Sequence, residues 1–180
     1  MPRYFAFLRG INVGGHRVKM DRLRELTEAL EFEHVETFIA SGNVIFSSQS
    51  ADVEAMEERI AVRLEETLGY TVPTFVRSQS ELESIASFEP SQPPAADPSV
   101  YVMFFPRAAD AGIRQGLEGL GTKTDNFEFA GREAFWLIDG KLSESPLFGM
   151  DLTKVTGPSP TTMRSMTTLR RLEAKYATSG

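Results

Sequence analysis

Val35-Glu36-Thr37-Phe38-Ile39-Ala40-Ser41-Gly42-Asn43-Val44-Ile45-Phe46 is the stretch whose reading decides the fold. Two short apolar runs, Val35 to Ile39 and Val44 to Phe46, flank a Gly-Asn turn, which predicts a β-hairpin. Upstream of it, Asp21 is a good helix N-cap, and Leu23, Leu26 and Leu30 recur at helical spacing. Before that helix, Tyr4 to Leu8 reads as a buried strand. Downstream, Val53, Met56, Ile60, Leu64 and Leu68 form one apolar helix face that ends at Gly69, a suitable C-terminal cap. Thr71 to Val76 follows as a strand. The hairpin is therefore the centre of a strand, helix, strand, strand, helix, strand order, the split βαβ or ferredoxin-like pattern.

The pattern recurs further on. Ser80-Glu81-Leu82-Glu83 has capping-box spacing and predicts a short helix through Ser87. Pro90, Pro93, Pro94 and Pro98 then exclude regular structure and predict a linker. Val100 to Phe105 repeats the buried character of the first strand. A helix from Ala108 to Leu120 is weakened by Gly112, Gly116 and Gly119, each by roughly 1 kcal/mol against Ala. Asn126 to Ala130 and Ala134 to Ile138 flank Gly131-Arg132 as a second hairpin. A last helix is expected from Thr161 to Tyr176, with Thr161 or Thr162 as its N-cap and Met166, Leu169 and Leu172 on its packing face. The second half thus lacks only the closing strand of the first. The class is α+β: two ferredoxin-like (βαββαβ-type) halves related by duplication, with antiparallel-rich sheets and helices packed on one face. Residues 1–88 and 100–180 are the expected halves, joined by a Pro-rich linker at 89–99.

With 180 residues the chain can bury a core without disulfides or a structural metal. It has no cysteine, which removes thiol nucleophiles and Cys-ligated zinc and suits a reducing compartment. His16 and His34 are its only histidines and sit at no ligand spacing, so no metal site is expected, and no cofactor is implied. The apolar run at Tyr4 to Leu8 is too short for a signal sequence or membrane span. A cytoplasmic protein with no membrane partner is the resulting expectation.

A net charge of −6 disfavours a general nucleic-acid coat. The charge is uneven, however: residues 1–24 carry +5 and residues 154–180 carry +4, against −15 between them. Both basic segments contain loops suited to an anion. From Leu8 to Lys19 a strand leads through Gly10, Gly14 and Gly15 toward a helix, with Arg9, Asn12, Arg17 and Lys19 alongside. Glycines let backbone N–H groups turn toward an anion, and a helix start favours negative charge. The spacing matches neither GxGxxG nor the P-loop, and a strand–helix turn that needs positive φ explains the glycines equally. The second loop runs from Lys154 to Arg164, where Thr162 and its neighbours crowd a helix start; plain capping accounts for these hydroxyls too. Ser41 and Asn43 stand in the first hairpin. With no histidine beside it, Ser41 is a weak nucleophile candidate, and no catalytic residue is assigned.

These loops carry a family resemblance. Leu8-Arg9-Gly10-Ile11-Asn12-Val13-Gly14-Gly15, Ser41-Gly42-Asn43-Val44-Ile45-Phe46, and Thr162-Met163-Arg164 leading to Thr167-Thr168-Leu169 resemble the bacterial family of domain of unknown function 1697. The resemblance spans nearly the whole chain. It implies a two-part fold with ferredoxin-like halves, and brings no activity, cofactor or catalytic residue. Where the last motif usually reads Arg, Asn, aromatic, this chain has Arg164-Ser165-Met166.

The reading that follows is a binding module for a small anionic or phosphorylated ligand, held between the first glycine loop and the start of the last helix. Arg9, Arg17 and Lys19 would supply charge, and Thr162, Arg164 and Lys154 the opposing side. Three alternatives stand beside it: a nucleic-acid-binding protein using the same basic ends, an enzyme acting on a phosphorylated substrate, and a structural domain that forms a homodimer through an exposed sheet face.

Overall fold

A computed structural model describes residues 1–39, 42–92 and 97–177. The chain divides into two compact units, Met1–Ser84 and Ile85–Gly180.

In the first unit, Arg3–Leu8 forms strand β1, Met20–Glu28 helix α1, Glu33–Thr37 and Asn43–Ser47 strands β2 and β3, Val53–Leu68 helix α2, and Thr74–Ser78 strand β4. The four strands form an antiparallel sheet in the order β2-β3-β1-β4. This is the ferredoxin-like arrangement the element order predicts. The period-2 pattern sends Tyr4, Ala6 and Leu8 to one face, where Leu23 and Leu26 of α1 and Met56, Ile60 and Leu64 of α2 cover them. Asp52 caps α2 by accepting from the Ala55 N–H, and Gly69 ends it at φ 79°.

Helix α3, Gln79–Ala86, begins directly after β4. Its capping box is Ser78 with Glu81, two residues earlier than the expected Ser80 and Glu83. The Ser78 hydroxyl accepts from the Glu81 N–H, and Glu81 accepts from the Ser78 N–H.

The second unit contains β5 (Pro98–Phe104), α4 (Ala111–Gly119), β6 (Asp125–Ala130), β7 (Glu133–Asp139), a 3-10 turn at Leu142–Glu144, α5 (Thr153–Thr156), β8 (Thr162–Ser165) and α6 (Met166–Tyr176). Its sheet is antiparallel in the order β6-β7-β5-β8. Met103, Phe127 and Trp136 pack on the face that receives Leu117 of α4. Gly116, a weak helix former, has a packing role: a Cβ there would meet Val155 Cγ1 of α5 at 2.5 Å.

Strand β8 corrects the expected last helix. Thr162 to Ser165 pair with Phe104 to Tyr101, and the N-cap is Ser165, whose hydroxyl accepts from the Thr168 N–H. The threonine-rich stretch satisfies two local preferences, capping and strand, and the open edge of β5 decides for strand. The second half therefore has its closing strand, and the two halves share one order. Of the expected linker 89–99, residues 93–96 lie outside the described residues, Pro98 and Ser99 belong to β5, and Ser91 donates to the Glu128 carboxylate of β6. Among the described residues no helix is long and apolar enough to cross a membrane.

Candidate functional site

The first two sequence motifs meet at one end of the first unit's sheet. As β1 ends, the Leu8 N–H donates to Gly42 O at 2.8 Å and the Arg9 N–H to Pro73 O at 3.0 Å. The loop that follows is thereby rooted between the β2–β3 hairpin and the approach to β4. Buried Ile11 plugs this root. Gly42, at φ 81°, lies so close that a Cβ would sit 2.8 Å from Ile11 Cγ2 and 3.1 Å from Leu8 Cβ. Only glycine meets both demands, which gives the Ser41-Gly42-Asn43 motif a physical reason at its centre.

Asn12 closes the loop above the root. Its Oδ1 accepts from the Val18 N–H at 2.9 Å, while the His16 N–H reaches Val13 O at 3.2 Å. The His16 ring stacks on Tyr70, with centroids 3.8 Å apart. The Tyr70 hydroxyl is buried without a hydrogen-bond partner among the described residues, and burial raises its pKa. Gly10, Gly14 and Gly15 have φ of 73°, 64° and 89°, and among the described residues nothing lies within 4 Å of where their Cβ atoms would stand. These glycines serve backbone conformation and leave the chain open to approach.

Arg9, Arg17 and Lys19 are exposed on this loop, and among the described residues their side chains make no ion pair or hydrogen bond. Several other cations of the unit are paired with acids: Arg22 with Glu25, Arg24 with Asp21 and Glu28, and Arg77 with Glu57. Lys19 is also the N-cap of α1 and gives that helix no side-chain capping bond.

Asn43 is buried, and its Nδ2 donates to Phe38 O at 2.8 Å, so it holds the hairpin. Ser41 lies outside the described residues. Ile39, two positions before it, adopts φ 59°, an uncommon conformation for a β-branched side chain.

The second loop belongs to the other unit. Lys154 is exposed on α5. Thr162 and Arg164 are buried in β8, where Arg164 Nη1 donates to Thr162 Oγ1 and to Met163 O, both at 2.9 Å. Burial pulls the Arg164 pKa down to about 10, which leaves it charged at neutral pH. On edge strand β8 this side chain covers a carbonyl of its own backbone.

Arg77 repeats that device, and sequence reading missed it. It is fully buried on edge strand β4, and its Nη1 donates to Val76 O at 2.9 Å. Glu57 accepts from the Val76 N–H at 2.8 Å and lies 3.8 Å from the guanidinium. The signal was present as the dipeptide Arg-Ser before a helix, at Arg77-Ser78 and again at Arg164-Ser165.

A family model described as a protein of unknown function (DUF1697) matches residues 1–135. Among solved structures, that of the conserved bacterial protein SP0830 from Streptococcus pneumoniae is similar with a TM-score of 0.73. The two chains are 21% identical over 99% of each, a likeness that speaks to the fold. No curated protein matches the chain.

Proposed function

The chain belongs to the DUF1697 family of proteins of unknown function, and from that premise and its own loop geometry we propose that it binds a small phosphorylated or otherwise anionic ligand at the loop end of its first unit. The observation that carries this reading is the set Arg9, Arg17 and Lys19: three cations on one loop, without acidic partners among the described residues, in a protein of net charge −6. Like charges held on one short loop repel each other, and a bound anion relieves that repulsion. Gly10, Gly14 and Gly15 supply backbone that a ligand can approach closely, and Asn12 holds the loop in shape.

The test is thermal unfolding of the full chain with inorganic phosphate and pyrophosphate at low salt. A ligand at 100 times its dissociation constant stabilises the folded form by about 2.7 kcal/mol. The expected result is a concentration-dependent rise in Tm that disappears in the Arg9→Ala, Arg17→Ala, Lys19→Ala triple variant. An equal rise in both proteins, or none in either, overturns the reading. An oligonucleotide that binds with a steep salt dependence while pyrophosphate does not would assign the loop to nucleic acid instead.

A further inference from the structure

The two units share a rung. Tyr4 of β1 faces Ser78 of β4 on one side and Phe46 of β3 on the other. Tyr101 of β5 likewise faces Ser165 of β8 and Trp136 of β7. Each serine then caps a helix, α3 or α6. At the same step along these helices the first unit has Glu83 and the second Arg170.

In the first unit the groups around this rung bond to one another. The Tyr4 hydroxyl donates to Ser50 O at 3.0 Å, the Ser78 and Ser80 hydroxyls lie 3.1 Å apart, and Gln79 Nε2 donates to Glu83 at 3.0 Å. In the second unit the corresponding groups line a cavity of about 340 Å³. Thr167 also lines it, and its hydroxyl has no hydrogen-bond partner among the described residues; Tyr101 borders it from β5, with its ring packed beside Trp136. Arg170 is held in place from outside: its Nε donates to Ala86 O at 3.0 Å and its Nη2 to Phe88 O at 3.4 Å. A guanidinium anchored in this way loses little further freedom when it meets a ligand. Phe88 and Met166 give the cavity apolar wall, and Phe88 is itself fixed by stacking on Phe135 at 3.7 Å.

We infer that this cavity binds a small organic carboxylate with an apolar body. Arg170 pairs with the carboxylate, the Thr167 hydroxyl adds a hydrogen bond to it, and Phe88 and Met166 take the apolar part. Glu89 also lines the cavity and brings a negative charge, so a single charge on the ligand suits the site better than the double charge of phosphate. The site is separate from the glycine loop and does not depend on it.

Benzoate is the probe, titrated into the uniformly 15N-labelled full chain and followed by amide shifts. The expected result is saturable movement of the amides of residues 99–101 and 165–170. Benzyl alcohol, of the same shape and neutral, should bind at least tenfold more weakly, and inorganic phosphate should leave these amides in place. Arg170→Gln should weaken benzoate at least tenfold. Because Arg170 also ties down residues 86–88, Thr167→Glu serves as the second variant: it leaves those anchors alone, puts an acid where a helix start accepts one, and should repel benzoate by a similar factor. Unchanged benzoate affinity in Thr167→Glu, benzyl alcohol binding as well as benzoate, or loss of the shifts in Arg17→Ala would each overturn the assignment.

Discussion

Replacing Asp125 by Asn tests whether the second unit is held by a buried carboxylate network. The side chain is 3% exposed at the start of β6 and receives four donors. Trp136 Nε1, at 2.9 Å, and Ser145 Oγ donate to its Oδ1. Thr122 Oγ1 and Thr124 Oγ1, both at 2.8 Å, donate to its Oδ2. An asparagine presents one oxygen and one NH2; the Thr124 or Ser145 hydroxyl can turn to accept from that NH2, but in either orientation one donor, Thr122 Oγ1 or Trp136 Nε1, is left facing it. Turning the Thr122 hydroxyl around gives no relief, because its oxygen already accepts from the N–H groups of Thr124 and Asp125. One hydrogen bond to a charged acceptor is lost, one reverses and two become neutral. With such bonds worth roughly 1.5–3 kcal/mol each and partial compensation, Asp125→Asn should destabilise the unit by about 2–4 kcal/mol. Trp136 is the chain's single tryptophan and one of the partners, so its fluorescence during urea unfolding reads the affected site directly. The carboxylate also makes a pH prediction. Burial pushes its pKa up, but the bonds from Ser145, Thr122, Thr124 and Trp136 outweigh that and leave it below the ordinary value. A depressed acid gives stability that is present above the unfolded-state pKa, about 3.9, and is lost as pH falls through the lower folded-state value. The parent should therefore lose stability below about pH 4 more steeply than Asp125→Asn does. A variant within about 0.5 kcal/mol of the parent at pH 7, or parallel acid profiles, would refute the network's role.

Gly42→Ala and Gly14→Ala separate backbone strain from crowding. Gly14 has only its φ of 64° to lose, so alanine there should cost about 1–2 kcal/mol. Gly42 adds the clash with Ile11 and Leu8 and should cost about 2–4 kcal/mol; equal effects in urea titrations would mean that the hairpin does not press on the loop root. Ser165→Ala should cost about 1 kcal/mol by removing the cap of α6, with Thr161→Ala near neutral; the reverse order would restore the longer helix expected from sequence.

Local pattern made the two halves legible. The short apolar run from Tyr4 to Leu8 and a 3.6-residue spacing from Val53 to Leu68 are local properties, and both elements kept the type their pattern indicated. The first two motifs were equally legible as a pair of loops, because glycines and a Gly-Asn turn announce unusual backbone wherever they stand. What local chemistry left open was settled by distant partners. Thr162 to Ser165 carries hydroxyls suited to either a cap or a strand, and became β8 because β5 had an edge to pair. Asp125 drew its donors from Thr122, Thr124, Trp136 and Ser145, which no spacing rule connects. In the sequence Arg164 reads as an anion contact and Arg77 is not singled out; the sheet order made their strands edges, where a long cation turns back to cover a carbonyl of its own strand. The cavity beside Arg170 has the same origin: side chains from β5, β8, α6 and residues 88–90 adjoin one another only once the sheet has closed.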